Sequence, residues 1–527
     1  MASFPVRRRP GSSEPRPAES GLLGVCATCH ARVPAEFVVR GRRVLLRKRC
    51  PTCGAGESLV STNAAAWLDK RSTLEYLPAP RGVCTLECDR CKRSHRPTIV
   101  FIDVTNRCNM NCPICIATIR RMGFPYDPPL AYFEKVFAAL STFDPLPMVE
   151  LFGGEPTVRE DLLEIIDAGR RHGLKARVVT NGLRLADEDY ARALCQAGVR
   201  FRFSLDGRRP EIYRRLRNNP GACEKKLRAL ANLARYSRRK HALLACVARG
   251  INDDDVADLI RCCHEHRGLL GELGLIPLTE NWRPGEFQAP EPTTSEDVEA
   301  IVERSVPGGD VSFLPAGAIE VLRPARSFFR RSSCSEMLMF GGVHPNCESM
   351  ALLVSDGRRY TSVHRYLRMP LRVLAKELLA RGRPLNRRLR KLDPSRPIRR
   401  LLGRLLVLAT YVPLALRAVD WRACCRTRPG ADLARLVLEL VRGRRFRDAA
   451  RKHLVAQYVL RVAVLPFEEY DAIDSDRLRN CKAAFAYEDT QDGQVKTIPA
   501  CIWYPYRDAL LRKITGKYGT AGGATAP

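Results

Sequence analysis

From about residue 98 onward, apolar runs of strand length alternate with amphipathic stretches of helical period. Strand-like runs stand at "TIVFIDV", "MVELFGG", "ARVVTN", "FRFSLDG" and "ALLACVARG", separated by helical segments such as "REDLLEIIDAGRRHG", "DEDYARALCQAG", "CEKKLRALANLARYS" and "DDDVADLIRCCHEH". This βα repeat predicts a parallel sheet, open or closed into a barrel, whose ligands collect at the C-terminal ends of the strands. The first strand end leads into Cys108, Cys112 and Cys115. The second leads into Gly153, Gly154, Glu155, Pro156 and Thr157, the third into Thr180, Asn181 and Gly182, and the fourth into Ser204, Leu205 and Asp206. Tight turns explain Asn181-Gly182 and a helix cap explains Asp206 equally well at this stage.

The segments flanking the repeat carry further cysteines. Residues 1–20 read as a disordered basic tail. Cys26 and Cys29 in "CATC", then Cys50 and Cys53 in "CPTCG", make two C-x2-C knuckles that suit zinc or a rubredoxin-like single iron. Cys84, Cys88 and Cys91 repeat the C-x3-C-x2-C spacing of Cys108, Cys112 and Cys115, but they precede the first strand. Cys334, Cys347, Cys481 and Cys501 follow the repeat, and Cys195, Cys223, Cys246, Cys262 and Cys263 read as core residues. The expected organisation is a four-cysteine knuckle over 21–75, an auxiliary cluster segment over 76–97, and a barrel over 98–315. A basic helical region over 316–470 and a C-terminal auxiliary cluster segment over 471–527 complete it.

Charge adds a partner class. The 527 residues hold 88 Lys and Arg against 57 Asp and Glu, a net charge of +31 that favours an anionic partner. The 21 cysteines and the lack of an apolar h-region near the start fit a reducing cytoplasm, with clustered thiols binding metal. Aromatics are only 7% and no RNA-binding module is recognisable, which argues against nucleic acid.

The C-x3-C-x2-C triplet followed by Gly-Gly-Glu-Pro resembles the radical S-adenosylmethionine (SAM) superfamily over about residues 98–280. The resemblance implies a partial six-fold βα barrel of the TIM type, with a 4Fe–4S cluster on Cys108, Cys112 and Cys115. Three thiolates leave one iron open to SAM. It also implies Gly153, Gly154 and Glu155 at the methionine amino group, with Asn181, Ser204 and Asp206 as further contacts. The cluster needs a reductant, such as a ferredoxin or flavodoxin. One or two auxiliary 4Fe–4S clusters would use Cys84, Cys88, Cys91, Cys334, Cys347, Cys481 and Cys501; either one site is open, or Cys424, Cys425 or His344 completes the set.

The order of these parts is similar to that of tetraether lipid synthases, a group that overlaps with dihydropterin methyltransferases. The synthase resemblance implies joining two lipid tails through their terminal carbons, one tail being held at an auxiliary cluster. The run "LLGRLLVLATYVPLALRAV" independently fits a helix lying on an anionic membrane surface. Its apolar core is about a dozen residues and includes Pro413, which the sequence reads as too short to span. Other readings are modification of a pterin-like heterocycle or RNA by the same chemistry, and a multi-metal electron-transfer or nucleic-acid-binding protein.

Overall fold

The computed structural model describes residues 21–72, 84–88, 91, 97–280, 287–329, 340–444, 446–455 and 458–520. A four-stranded antiparallel sheet opens it: β1 (Leu23–Val25), β2 (Arg32–Arg40), β3 (Arg43–Cys50) and β4 (Gly54–Ser61). The turns β1–β2 and β3–β4 are the two C-x2-C knuckles, so the two hairpins place all four cysteines at one end of the ribbon. Helix α1 (Ala64–Arg71) follows, capped by the Asn63 side chain on the Ala66 N–H.

Six parallel strands then form in sequence order: β5 (Ile99–Thr105), β6 (Met148–Gly153), β7 (Lys175–Thr180), β8 (Phe201–Ser204), β9 (His241–Val247) and β10 (Leu270–Pro277). Their apolar runs are nearly continuous because helices cover the sheet. Those helices include α2 (Leu130–Leu140), α3 (Leu162–Arg171), α4 (Glu188–Gln196), α5 (Pro210–Arg217), α6 (Ala222–Tyr236), α7 (Val256–Glu265) and α8 (Ser295–Ser305). In α3 the buried positions Leu162, Ile165, Ile166 and Gly169 fall on one face. Across the barrel interior, buried Arg202 bridges Glu150 at 3.2 Å and Glu272 at 2.9 Å, while Arg177 and Arg461 close the two ends of the row.

The stretch 316–470, expected to be basic and helical, also supplies strands. These are β12 (Ser349–Ser355), β13 (Tyr360–Ser362) and β14 (Val459–Val464), just after the short β11 (Leu314–Pro315) that precedes the stretch, and β14 pairs parallel with β10. From the C-terminal segment come β15 (Ala483–Glu488) and β16 (Val495–Pro499), and β15 pairs parallel with β5. The repeat therefore gains a parallel strand at each edge, both from chain far beyond it. Edge strands left bare would expose unpaired backbone groups.

The helical part of the insertion comprises α9 (Arg323–Arg326), α10 (Leu371–Leu389), α11 (Pro397–Ala418), α12 (Trp421–Cys424) and α13 (Pro429–Val441). Here the expectation of a run too short to span is corrected. α11 is 22 residues of continuous helix, long and apolar enough to cross a membrane by length and composition. Pro413 does not end it, because that residue faces outward and its missing N–H removes a bond only on the exposed side.

Candidate functional site

The loop after β5 is closed at its base by Asn106. Its N–H donates to the Tyr126 carbonyl, its Oδ1 accepts the Tyr126 N–H, and its Nδ2 donates to the Phe124 carbonyl. Within this loop Cys108, Cys112 and Cys115 line one wall of a cavity of about 300 Å³. Behind them lies the last helix, α14 to α16 being Phe446–His453, Ser475–Arg479 and Tyr504–Tyr518. Arg507 of α16 is buried and donates to the Ala117 carbonyl, and the neighbouring Trp503 indole donates to Asp103 at 2.9 Å.

The opposite edge of that wall is the Gly153-Gly154-Glu155 turn. Gly153 has φ of +120°, and a Cβ there would overlap the Thr105 carbonyl. At Gly154 it would overlap the Arg107 carbonyl. Only glycine lets this turn lie on the residues that lead into Cys108, and the Gly154 and Glu155 N–H groups use the closeness to donate to those two carbonyls. Glu155 is buried, and its carboxylate accepts from the Thr157 N–H, the Thr157 and Thr180 hydroxyls, and the Asn181 N–H. Four donors occupy the side chain that the sequence assigned to the methionine amino group. In this geometry it ties the second strand end to the third.

Asn181 donates to Asn109 at 2.7 Å, with its Nδ2 4.0 Å from the Cys108 sulphur. Gly182 adopts φ of +79°, and a Cβ there would overlap the Phe203 ring. The dipeptide is thus a turn and also a neighbour of the cysteine loop. Ser204 lines the cavity, whereas Asp206 lies fully buried behind it. Asp206 holds Arg217 through two bonds of 2.8 Å and accepts the Cys246 N–H. Arg217 does line the cavity and is a residue that the sequence reading missed. It is one of several arginines in "YRRLRNN", and nothing in the linear pattern singles it out. Lys226 is buried behind Ser204, donating to its carbonyl at 2.7 Å, and desolvation lowers it to about 8. Cys246, expected in the core, instead lines the cavity because its strand end opens there.

The thiols fit a cationic cluster. Desolvation, with Glu155 adding to it, pushes the Cys108 thiol up to about 12, and desolvation also raises Cys112. Thiolates at such positions form when a metal centre supplies the balancing charge.

The same cavity reaches a second group of thiols: Cys347, Cys481 and Cys501. Three segments bring them together. The Val343 N–H donates to the Asn480 carbonyl, the Lys482 N–H donates to the Gly341 carbonyl, and β16 turns Cys501 back alongside. Desolvation raises all three thiols, Cys481 to about 12, and neighbouring thiols add to the shift at Cys481 and Cys501. Ala483 pairs with Ile99, so Cys481 stands level with the start of β5 while Cys108 follows its end. Seven strand residues, about 20 Å at ~3.3 Å each, separate the two levels. Cys334 lies outside the described residues. His344 does not face the cavity. It is buried, bonds Asp476 at 3.2 Å and accepts the Asn346 N–H, while Cys424 and Cys425 sit at α12, away from the cavity.

Cys84, Cys88 and Cys91 are also off the cavity. Their segment lies between the ribbon and α16, where the Leu86 carbonyl accepts from Arg32 and from the Tyr506 hydroxyl. Cys26, Cys29, Cys50 and Cys53 place their sulphurs within 4.8 Å of one another, with Cys29 and Cys50 3.5 Å apart, the spacing of a single tetrahedral ion. Backbone N–H groups of Cys29 and Thr28 lower Cys26 to about 6, while Cys29 pushes Cys53 up to about 12. A bound cation resolves that opposition by drawing all four to thiolate. Zinc-ribbon or rubredoxin-like metal binding is what this cluster fits.

Residues 22–62 match the model of the HMPTM N-terminal zinc ribbon domain. A 280-residue stretch is 28% identical to the 7,8-dihydro-6-hydroxymethylpterin dimethyltransferase of Methanocaldococcus jannaschii, covering 51% of this chain and 55% of that protein. A 203-residue stretch is 30% identical to the GTP 3′,8-cyclase of Limosilactobacillus fermentum, covering 37% and 59%. The chain thus spans little more than half the length of these relatives. Among solved structures, Streptococcus suis SuiB bound to S-adenosylmethionine aligns at 16% identity with a TM-score of 0.32, covering 40% of this chain and 46% of that one. Residues 102–263, from the first barrel strand through α7, match the radical SAM superfamily model, so this part of the chain is a radical SAM domain, a kind of domain that implies SAM and 4Fe–4S clusters as cofactors.

Proposed function

We propose that this radical SAM enzyme acts on apolar lipid carbons and joins two lipid tails by a carbon–carbon bond. One observation carries the reading: a single cavity has a three-thiol set at each end and mainly apolar side chains, among them Ile99, Phe101, Phe152, Ile276, Leu278 and Phe467, between them. Two of the charged groups on that wall are already engaged. Arg202 pairs with Glu150 and Glu272, and Glu348 takes the Gly341 N–H. Such a wall favours an alkyl chain over a ring that asks for many hydrogen bonds.

In this proposal Cys108, Cys112 and Cys115 hold the SAM-binding cluster, and Cys347, Cys481 and Cys501, with Cys334, hold an auxiliary one. Cys84, Cys88 and Cys91 serve a further cluster near the ribbon. When bound, cluster and SAM supply one-electron cleavage of SAM and hydrogen abstraction from an unactivated carbon. The chain binds, orients and shields. Gly153 and Gly154 let backbone carbonyls approach the SAM amino group. Arg217, fixed by Asp206, offers its charge to the SAM carboxylate, and Asn181 and Ser204 flank it. The apolar wall excludes water from the reacting carbons. Electrons come from a ferredoxin or flavodoxin, and an anionic membrane surface is the source of substrate.

A second reading, methylation of a reduced pterin, is favoured by the name of the Methanocaldococcus relative and by the match of residues 22–62 to the HMPTM zinc ribbon model. Anaerobic turnover with SAM, reductant and extracted polar lipids separates the two. Lipid-dependent 5′-deoxyadenosine together with a joined lipid two hydrogens lighter than its parts is expected. SAM cleavage with unchanged lipid masses, and methyl transfer to an added dihydropterin, overturns the lipid reading.

A further inference from the structure

α11 shows solvent a face that an ordinary surface helix does not. Ile398, Leu401, Leu402, Leu405 and Leu416 are exposed, Ile398 to 84%, and exposed Ala409 and Pro413 continue the stripe. At 3.6 residues per turn these positions follow one side of the helix from end to end, with no charged residue among them. The opposite side is packed: Gly403, Val407, Leu414 and Ala418 are buried, and Gly403 lies so close to Phe328 that a Cβ would overlap the ring. The helix is therefore fixed to the protein along one side and bare along the other.

Cations gather where α10 passes to α11. Arg387, Arg388, Arg390, Lys391 and Arg399 are all exposed, while Arg372, Arg381, Arg396 and Arg417 form ion pairs. Over residues 371–419, thirteen Lys and Arg stand against two acidic residues. Two alternatives fit poorly. A crossing orientation would pull Gly403 and Val407 away from Phe328, Leu385 and Leu389, with which they form a small core. A second copy seated parallel on the stripe would bring the cation cluster towards its own image, and one seated antiparallel would offer it only the two acidic residues of this region.

We infer that α11 docks on an anionic lipid bilayer, lying in the headgroup plane with Ile398, Leu402 and Leu405 at the acyl boundary and the arginines on lipid phosphates. The use of this surface to the enzyme rests on the lipid reading, which it deepens by naming where tails are met. α10 links the surface to the cavity: Ala375 and Leu379 share a core with Phe340 and Val343, on the segment that runs to Cys347.

The test is co-sedimentation of the full, cluster-loaded chain with vesicles of phosphatidylcholine alone or mixed with phosphatidylglycerol. Binding to the mixed vesicles only, weakening with salt, is expected. Leu402→Glu with Leu405→Glu should weaken it at least tenfold while iron content and SAM cleavage hold, because both residues are exposed. Replacing Arg388, Arg390, Lys391 and Arg399 by Ser should weaken it by about fivefold for each cation. Equal binding to both vesicle types, no binding, or a dimer that the Glu variant dissolves overturns the inference. Vesicle binding by a protein that couples no lipid leaves docking standing and removes the coupling reading. Coupling in detergent by a protein that ignores vesicles does the reverse.

Discussion

Cys108, Cys112 and Cys115 sit within eight residues on one loop, whereas Cys347, Cys481 and Cys501 arrive from three segments spread over 155 residues. The first set is shaped by its own backbone and by the Gly153-Gly154 turn lying on it. The second exists only when the strands β15 and β16 and the 340–348 segment have all found their places. A local site tolerates change elsewhere in the chain, while an assembled site inherits every weakness of the fold around it.

Four experiments press on this contrast. Cys112→Ala should remove both SAM cleavage and product, by more than the ~100-fold that loss of an outer-shell partner costs, together with one cluster's iron and absorbance. Cys481→Ser should leave 5′-deoxyadenosine formation within a few-fold and abolish coupled product. If cleavage also vanishes, the two ends are not separable. Gly154→Ala, which drives a methyl into the Arg107 carbonyl, should lower SAM cleavage by roughly tenfold, consistent with about 1–3 kcal/mol of backbone strain at the loop. An unchanged rate would mean that the loop yields easily.

The smallest effect concerns Glu469, two residues beyond Phe467 in the wall by the assembled site. Burial, countered by the Glu280 N–H, raises its carboxyl to about 8. The folded protein therefore holds a proton that the unfolded chain releases near pH 4.5, so stability falls as pH rises between those values and is level above about 8. Glu469→Gln should flatten the thermal midpoint between pH 6 and 8.5 and add about 1–2 kcal/mol at the upper end after allowance for partial exposure. A slope that survives the substitution assigns the proton to another group.

What the linear sequence disclosed follows the same contrast. The βα alternation, the knuckles and the C-x3-C-x2-C loop depend on neighbours a few residues apart, and spacing and periodicity report such neighbours directly. The parallel pairing of β14 with β10 and of β15 with β5 depends on partners about 190 and 380 residues away. Glu155 reads as a free carboxylate until Thr157, Thr180 and the Asn181 N–H are seen around it. Arg217 is one basic residue among many until Asp206 fixes it. Cys246 reads as core because a strand end open to a cavity looks, along the chain, like one that is covered.

The pairing of β15 with β5 sets an order of events during synthesis. β5 is made early, with β6 on one side and a bare edge on the other, and that edge stays an open template for pairing until residue 483 has left the ribosome. Through the same interval the loop of Cys108 to Cys115 has no α16 behind it, since Arg507 is made later still. A chain stopped before residue 483 therefore keeps an exposed edge that invites aggregation.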